Sequence, residues 1–242
     1  MARYAIRVAY KGTAYAGWQI QPNEHTIQGE LWQVLKTVLR QEVNPTGAGR
    51  TDAGVHATGQ VAHFDFNGEI DPKSLLRSMY GLLPSDIAVT DIFRVADDFH
   101  ARFSARSRTY RYRIICKPDP LLREQSWYVH NDLDMDRIRT CWDLLPGEHD
   151  FSGFCLHDPL LPNYRCTVYN ARVEPEENGF TLWITANRFL RSMVRMLVGA
   201  AAKVAGGKQN VDWFKKTLMQ PDPDRTGFTA PASGLVLIEV SY

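Results

Sequence analysis

The chain has 242 residues, of which 44% are hydrophobic and 23% charged, with a formal net charge of +1. That length permits one large domain or two modest ones with a substantial core, and it holds no uncharged apolar run near the about 18 residues a membrane helix needs. A charge so near zero names no polyanionic partner, so any nucleic-acid binding has to come from a local cluster.

Taken in chain order, Arg3 to Tyr10 alternates apolar and polar residues and is expected to be a strand. Thr26 suits an N-cap for a helix to about Arg40, with Ile27, Leu31, Val34, Leu35, Val38 and Leu39 on its apolar face. Gly47 to Gly59 is expected to be a loop, Gln60 to Phe66 a strand, Asp71 to Leu82 a short helix and Ile87 to Val95 a strand. Ser107 to Cys116 alternates as a strand, and Asp134 to Leu145 has helical spacing. Tyr164 to Glu174 and Gly179 to Ala186 suit a hairpin that turns near Glu176, Glu177 and Asn178. Helices are expected over Phe189 to Ala205 and Val211 to Met219, and a closing strand over Gly234 to Tyr242. The rhythm implies an α+β fold: two ferredoxin-like β-α-β-β-α-β halves, residues 1–104 and 105–242, joined across an extended, mainly antiparallel sheet with the active-site cleft between them.

Cysteines 116, 141, 155 and 166 form no CxxC pair, so free thiols, mostly in the core, are expected, with neither a zinc site nor a disulfide framework. The segment from Met1 to Tyr10 lacks the apolar stretch of a secretory signal, which points to the cytoplasm.

The stretch Gly49-Arg50-Thr51-Asp52-Ala53-Gly54-Val55-His56 lies among four glycines in 13 residues, 47 to 59. Glycines open backbone shapes closed to other residues and let another chain approach. A carboxylate beside a guanidinium on a rigid loop suits catalysis. The same spacing also fits a tight turn with solvated polar residues. No GxGxxG and no terminal GK[ST] supports a phosphate cradle. Further on, Arg102, Arg106, Arg108, Arg111 and Arg113 fall within 12 residues, interleaved with Tyr110 and Tyr112. Arginines hold phosphates and aromatic rings stack on bases; a solvated charged face over core tyrosines has the same pattern. In the helix from Phe189, Arg191, Arg195 and Gly199 share a face at i, i+4 and i+8, and Gly199 leaves room for another element, such as the Asp52 loop. An arginine capping a surface helix is the alternative. His56 and His63 have no further ligand spacing near them to make a metal site, and His100 suits a phosphate or structural contact better than a base.

Residues 49 to 64, GRTDAGVHATGQVAHF, resemble the active-site motif of the tRNA pseudouridine synthase A (TruA) family. Five further segments carry the resemblance along nearly the whole chain. They are YKGTAYAGWQ (10–19), FHARFSA (99–105), HDFSGF (149–154), FLRSMVRMLVG (189–199) and APASGLVL (230–237). Lys11 stands where the family commonly has an acidic residue. The resemblance implies an isomerase that converts uridine to pseudouridine at positions 38, 39 and 40 of the tRNA anticodon stem-loop, without cofactor or metal, as a homodimer. It implies that Asp52 is the catalytic carboxylate, that Arg195 pairs with it and that Tyr110 is the active-site tyrosine, Tyr112 being structural. Arg50, His56 and Arg102 are expected to bind the substrate. Two other readings are a non-catalytic RNA-binding module, which leaves Asp52 without a purpose, and an aspartate-based hydrolase or phosphotransferase, which needs a metal or phosphate cradle.

Overall fold

The computed structural model describes residues 1–130, 133–222 and 228–242. The chain divides into two compact units, Met1–Arg106 with Leu237–Tyr242, and Ser107–Val236.

The first unit begins with β1 (Ala2–Tyr10) and continues through α1 (Ile27–Leu39), β2 (Thr46–Gly47), β3 (His56–Phe66), α2 (Pro72–Leu82) and β4 (Ile87–Arg94). β1 runs antiparallel to both β3 and β4, and the short β2 pairs with the second half of β3 through Thr46↔His63. The resulting order β4-β1-β3-β2 is that of a ferredoxin-like β-α-β-β-α-β unit. The Thr26 side chain accepts the Gly29 amide at 3.3 Å to start α1, and Asp71 does the same for Lys73 ahead of Pro72 in α2. Ile27, Leu31, Val34 and Leu35 are buried from α1, and Leu75 and Met79 from α2. β3 starts four residues before the expected Gln60. Its early part, His56 to Gly59, looks loop-like in sequence because glycine and threonine break the apolar pattern; pairing with β1, Ala57 opposite Tyr10, overrides that weak local preference.

The second unit holds β5 (Ser107–Ile115), β6 (Trp127–Tyr128), α3 (Met135–Trp142), β7 (Gly147–Asp150), β8 (Arg165–Glu176), β9 (Gly179–Ala186), α4 (Met193–Ala205) and α5 (Val211–Met219). Strands β5, β9, β8 and β7 are antiparallel neighbours in that order, with β6 parallel to β5. The Asp134 carboxylate caps α3 and Asn210 caps α5. The last strand, β10 (Leu235–Ser241), carries the chain back into the first unit, where it pairs with β3.

Helix α4 departs from expectation at its start. Apolar spacing runs on from Phe189, yet the helix begins at Met193 because Ser192 sits in the left-handed region at φ +58°. The Arg191 carbonyl accepts the Leu156 amide at 3.0 Å and is thereby lost to the helix, so Arg191 shares no helical face with Arg195. Cys141, Cys155 and Cys166 are buried free thiols and Cys116 is a partly buried one. Burial pushes the Cys141 and Cys155 thiols up to about 12, which leaves them protonated and inert.

Candidate active site

The segment from Gly49 to Val55 carries no strand, yet it is tied at close intervals. Before it, the Ala48 amide donates to the Val61 carbonyl at 2.7 Å, and Gln60 Nε2 donates to the Gly49 carbonyl at 2.9 Å. The Thr51 carbonyl accepts the Trp18 amide at 3.1 Å, and its hydroxyl lies 2.8 Å from that of Tyr10. The Val55 amide donates to the Asp52 carbonyl at 3.1 Å, closing a β-turn whose third residue, Gly54, has φ +77°. The Gly54 amide reaches the Tyr15 carbonyl at 3.3 Å. Gly17 permits this approach: it has φ +104°, and a Cβ on it would lie 2.6 Å from the Thr51 carbonyl oxygen. Both sides of the Asp52 turn are therefore clamped by residues 10 to 18.

The clamp sorts the side chains. Thr51 and Val55 are buried, Arg50 is exposed and Asp52 lies between, half-buried on a backbone bonded on both sides. His56 is 4% exposed and its Nδ1 accepts the Gly12 amide at 3.0 Å. In the neutral ring the proton is then on Nε2, and the imidazole serves as a buried strut of the loop. Arg102 is exposed, its guanidinium 5.4 Å from the Phe103 ring centroid.

Tyr110 and Arg195 belong to the second unit. Tyr110 is 9% exposed and meets Phe189 edge to face, with ring centroids 5.0 Å apart. Tyr112, two residues on, is fully buried and donates its hydroxyl to the Pro231 carbonyl at 2.8 Å, a structural tyrosine. Burial raises its pKa while Arg195 pulls the other way, so that guanidinium is close enough to be felt. Arg195 Nε donates to the Ala230 carbonyl at 2.8 Å, and the Ala230 amide returns a bond to the Arg195 carbonyl at 3.1 Å. The space left by Gly199 is taken by Phe228, whose carbonyl would lie 2.6 Å from a Cβ there. The element that Gly199 admits is thus the 228–230 segment, not the Asp52 loop. That segment is what aims Arg195.

The arginine run over 102–113 divides. Arg102 and Arg106 are exposed, whereas Arg108, Arg111 and Arg113 are partly buried. Arg108 donates to the Asn187 carbonyl at 2.8 Å, and Arg113 is ion-paired to Glu176 at 3.0 Å. Burial, with Arg113 adding to it, lowers the Arg111 pKa. Cross-strand pairing explains the division: Arg111 and Arg113 face Trp183 and Thr181 on β9, which sequence spacing does not reveal. Sequence reading also passed over Tyr10, Gly17 and Phe189 as supports of the candidate residues; their own motifs mark them, but only distances give them partners. Among the described residues, no group of three or more His, Cys, Asp and Glu side chains is placed to hold a metal ion.

The profile of the family described as tRNA pseudouridine synthase matches residues 6–104 and 142–242, which include the whole clamp, the Asp52 turn and the Arg195 helix. The chain belongs to the tRNA pseudouridine synthase family. It is 42% identical to a Bacteroides fragilis protein named tRNA pseudouridine synthase A, across 99% of this chain and 96% of that one. A Bacteroides thetaiotaomicron protein of the same name is 41% identical, across 100% and 91%. One from Lacticaseibacillus casei is 38% identical, across 100% of both. Membership in the tRNA pseudouridine synthase family makes this an enzyme, an isomerase of uridine in tRNA. The other two readings, a binding module and a hydrolase, fall away.

Proposed function

We propose that this protein converts uridine to pseudouridine at positions 38, 39 and 40 of the tRNA anticodon stem-loop, with Asp52 as the catalytic carboxylate. The observation that carries the reading is the half-buried Asp52 on a turn clamped from both sides, inside the segment that resembles the family's active-site motif. The reaction breaks the N1–C1′ bond of uridine, turns the uracil and joins its C5 to C1′, after which C5 loses its proton and N1 carries one. No atom is gained or lost and no electron leaves. A fixed carboxylate serves such chemistry as nucleophile or as general base.

The target base has to leave its stack, at a cost on the order of a few kcal/mol. Arg50, exposed beside Asp52, takes the vacated space or the neighbouring phosphate. Tyr110, its ring set by Phe189, lies against the everted uracil. Arg195, set by Ala230, keeps the Asp52 carboxylate ionised once water is excluded. Arg102 binds the RNA backbone. His56, buried behind the loop, acts by holding it in place for the substrate. The enzyme works as a homodimer in the cytoplasm, where its tRNA substrate is; no described helix is long and apolar enough to cross a membrane.

The test is to map pseudouridine in tRNA exposed to wild type and to Asp52→Asn. Product at 38, 39 and 40 with wild type and none with the variant is the expected result. Product from Asp52→Asn removes the carboxylate from its role, and product elsewhere in tRNA removes the positional assignment.

A further inference from the structure

The turn that follows Phe99 is built more rigidly than an ordinary exposed loop. The Ser104 amide donates to the His100 carbonyl at 2.8 Å, and the His100 amide donates to Ser104 Oγ at 3.0 Å. The amides of Arg102 and Phe103 both point at His100 Nδ1, at 3.1 and 3.4 Å. Below the turn, buried Ala101 donates its amide to His63 Nδ1 at 3.2 Å and accepts the Tyr242 hydroxyl at 2.9 Å. The His63 and His100 rings lie 4.7 Å apart, and Phe99 packs on Tyr242 at 4.8 Å.

On top of this base Phe103 stands 75% exposed. Of the chain's 11 phenylalanines, Phe228, at 39%, is the one other that is substantially exposed. Solvent is a poor place for an apolar ring, and nothing in the geometry of the turn requires a ring at that position. The ring packs against the His100 ring at 4.4 Å and has arginines beside it, the Arg102 guanidinium at 5.4 Å and exposed Arg106 three residues on. The nearby acids Asp97 and Asp98 act on Arg3, at the foot of the turn. A fixed, exposed aromatic face beside arginines is the arrangement that stacks a single-stranded base while a neighbouring guanidinium takes its phosphate.

We infer that Phe103 is a base-stacking platform for the tRNA substrate, receiving an unpaired base other than the reacting uridine. The inference rests on the reading of the protein as a tRNA-modifying enzyme. It adds a residue that binds RNA through its ring face and not through charge.

The experiment compares full-length wild type, Phe103→Leu, Phe103→Tyr and Arg102→Ala, measuring tRNA binding by fluorescence anisotropy over a salt series and pseudouridine formation under steady-state conditions. Phe103→Leu keeps the apolar bulk without the ring and is expected to weaken tRNA binding about tenfold. It should raise KM to match, leave kcat within about twofold and leave the salt slope unchanged, since stacking releases no counterions. Phe103→Tyr should bind like wild type, and Arg102→Ala should lower the salt slope by about one. Equal affinity for Phe103→Leu and wild type overturns the platform, as does an equal loss in the Leu and Tyr variants. A wild-type protein that forms no pseudouridine in tRNA overturns instead the functional reading beneath it.

Discussion

Thr51 and Asp52 are neighbours in the chain with different tasks. Thr51 is buried and bonded to Tyr10 through its hydroxyl and to Trp18 through its carbonyl, and that anchoring holds Asp52 at the surface of the loop. The division gives an expectation for Asp52 and one for the bond beneath it, and Arg195 adds a third. Asp52→Asn preserves shape and size but removes charge and basicity. It should leave the tRNA Kd within a fewfold of wild type while lowering kcat by at least about 10³-fold, read by tritium release from C5-labelled uridine in tRNA. Tyr10→Phe removes one buried hydrogen bond, an effect on the order of 1 kcal/mol on stability by denaturant titration. Because that bond braces the Asp52 turn, kcat should fall as well, whereas a purely structural bond would leave it untouched. Arg195→Met keeps the side chain's reach without its charge, so turnover should drop by about 10² or more with tRNA affinity little changed. An unchanged kcat would separate Arg195 from the chemistry.

At the scale of elements, left-handed residues mark two helix boundaries. α1 ends where its apolar spacing does, on Arg40 at φ +53°, a conformation that glycine adopts at little cost. Arg40→Gly should stabilise the protein by about 0.5–1 kcal/mol in thermal unfolding, and a lower Tm would show that the arginine gives more than its backbone costs. α4 begins late for a related reason, Ser192 at φ +58°. Nothing in the apolar spacing from Phe189 announces that residue, because hydrophobic periodicity reports which side chains face the core and is blind to the sign of φ. The early start of β3 and the two-residue strands β2 and β6 escaped sequence reading because each depends on a partner strand and not on its own composition. The Thr26 cap was readable because it acts within three residues of itself, and the sequence shows such neighbours directly.

For the molecule as a whole, pH enters through His63. Burial first, then the nearby His100 and Arg3, lowers its pKa in the fold. The unfolded chain takes up a proton near the ordinary histidine value of about 6.5, which the folded chain resists. The contribution of His63 is therefore complete above about pH 6.5 and is lost as pH falls below that value through its folded pKa. Denaturant titrations should show stability falling between pH 7.5 and 5.5, and His63→Gln should flatten that fall at the expense of the bond to Ala101; an unaltered slope would assign the acid sensitivity elsewhere.

Read along the chain, the residues alone carry the α+β class, most helices and strands, and a family resemblance that points to Asp52, since motif residues 49 to 56 lie together in the chain. The structure adds that Tyr112 is fully buried with its hydroxyl on the Pro231 carbonyl. The folded backbone was needed to see that Tyr10, Tyr15, Gly17 and Trp18 clamp the loop, that Phe228 to Ala230 fills the space at Gly199, and that His56 faces inward. It alone showed that three of the five arginines over 102–113 are partly buried while Phe103 is not. Each of these depends on contact between residues far apart in the chain, or on which face of a strand is covered. Spacing along a sequence carries neither until the backbone has closed.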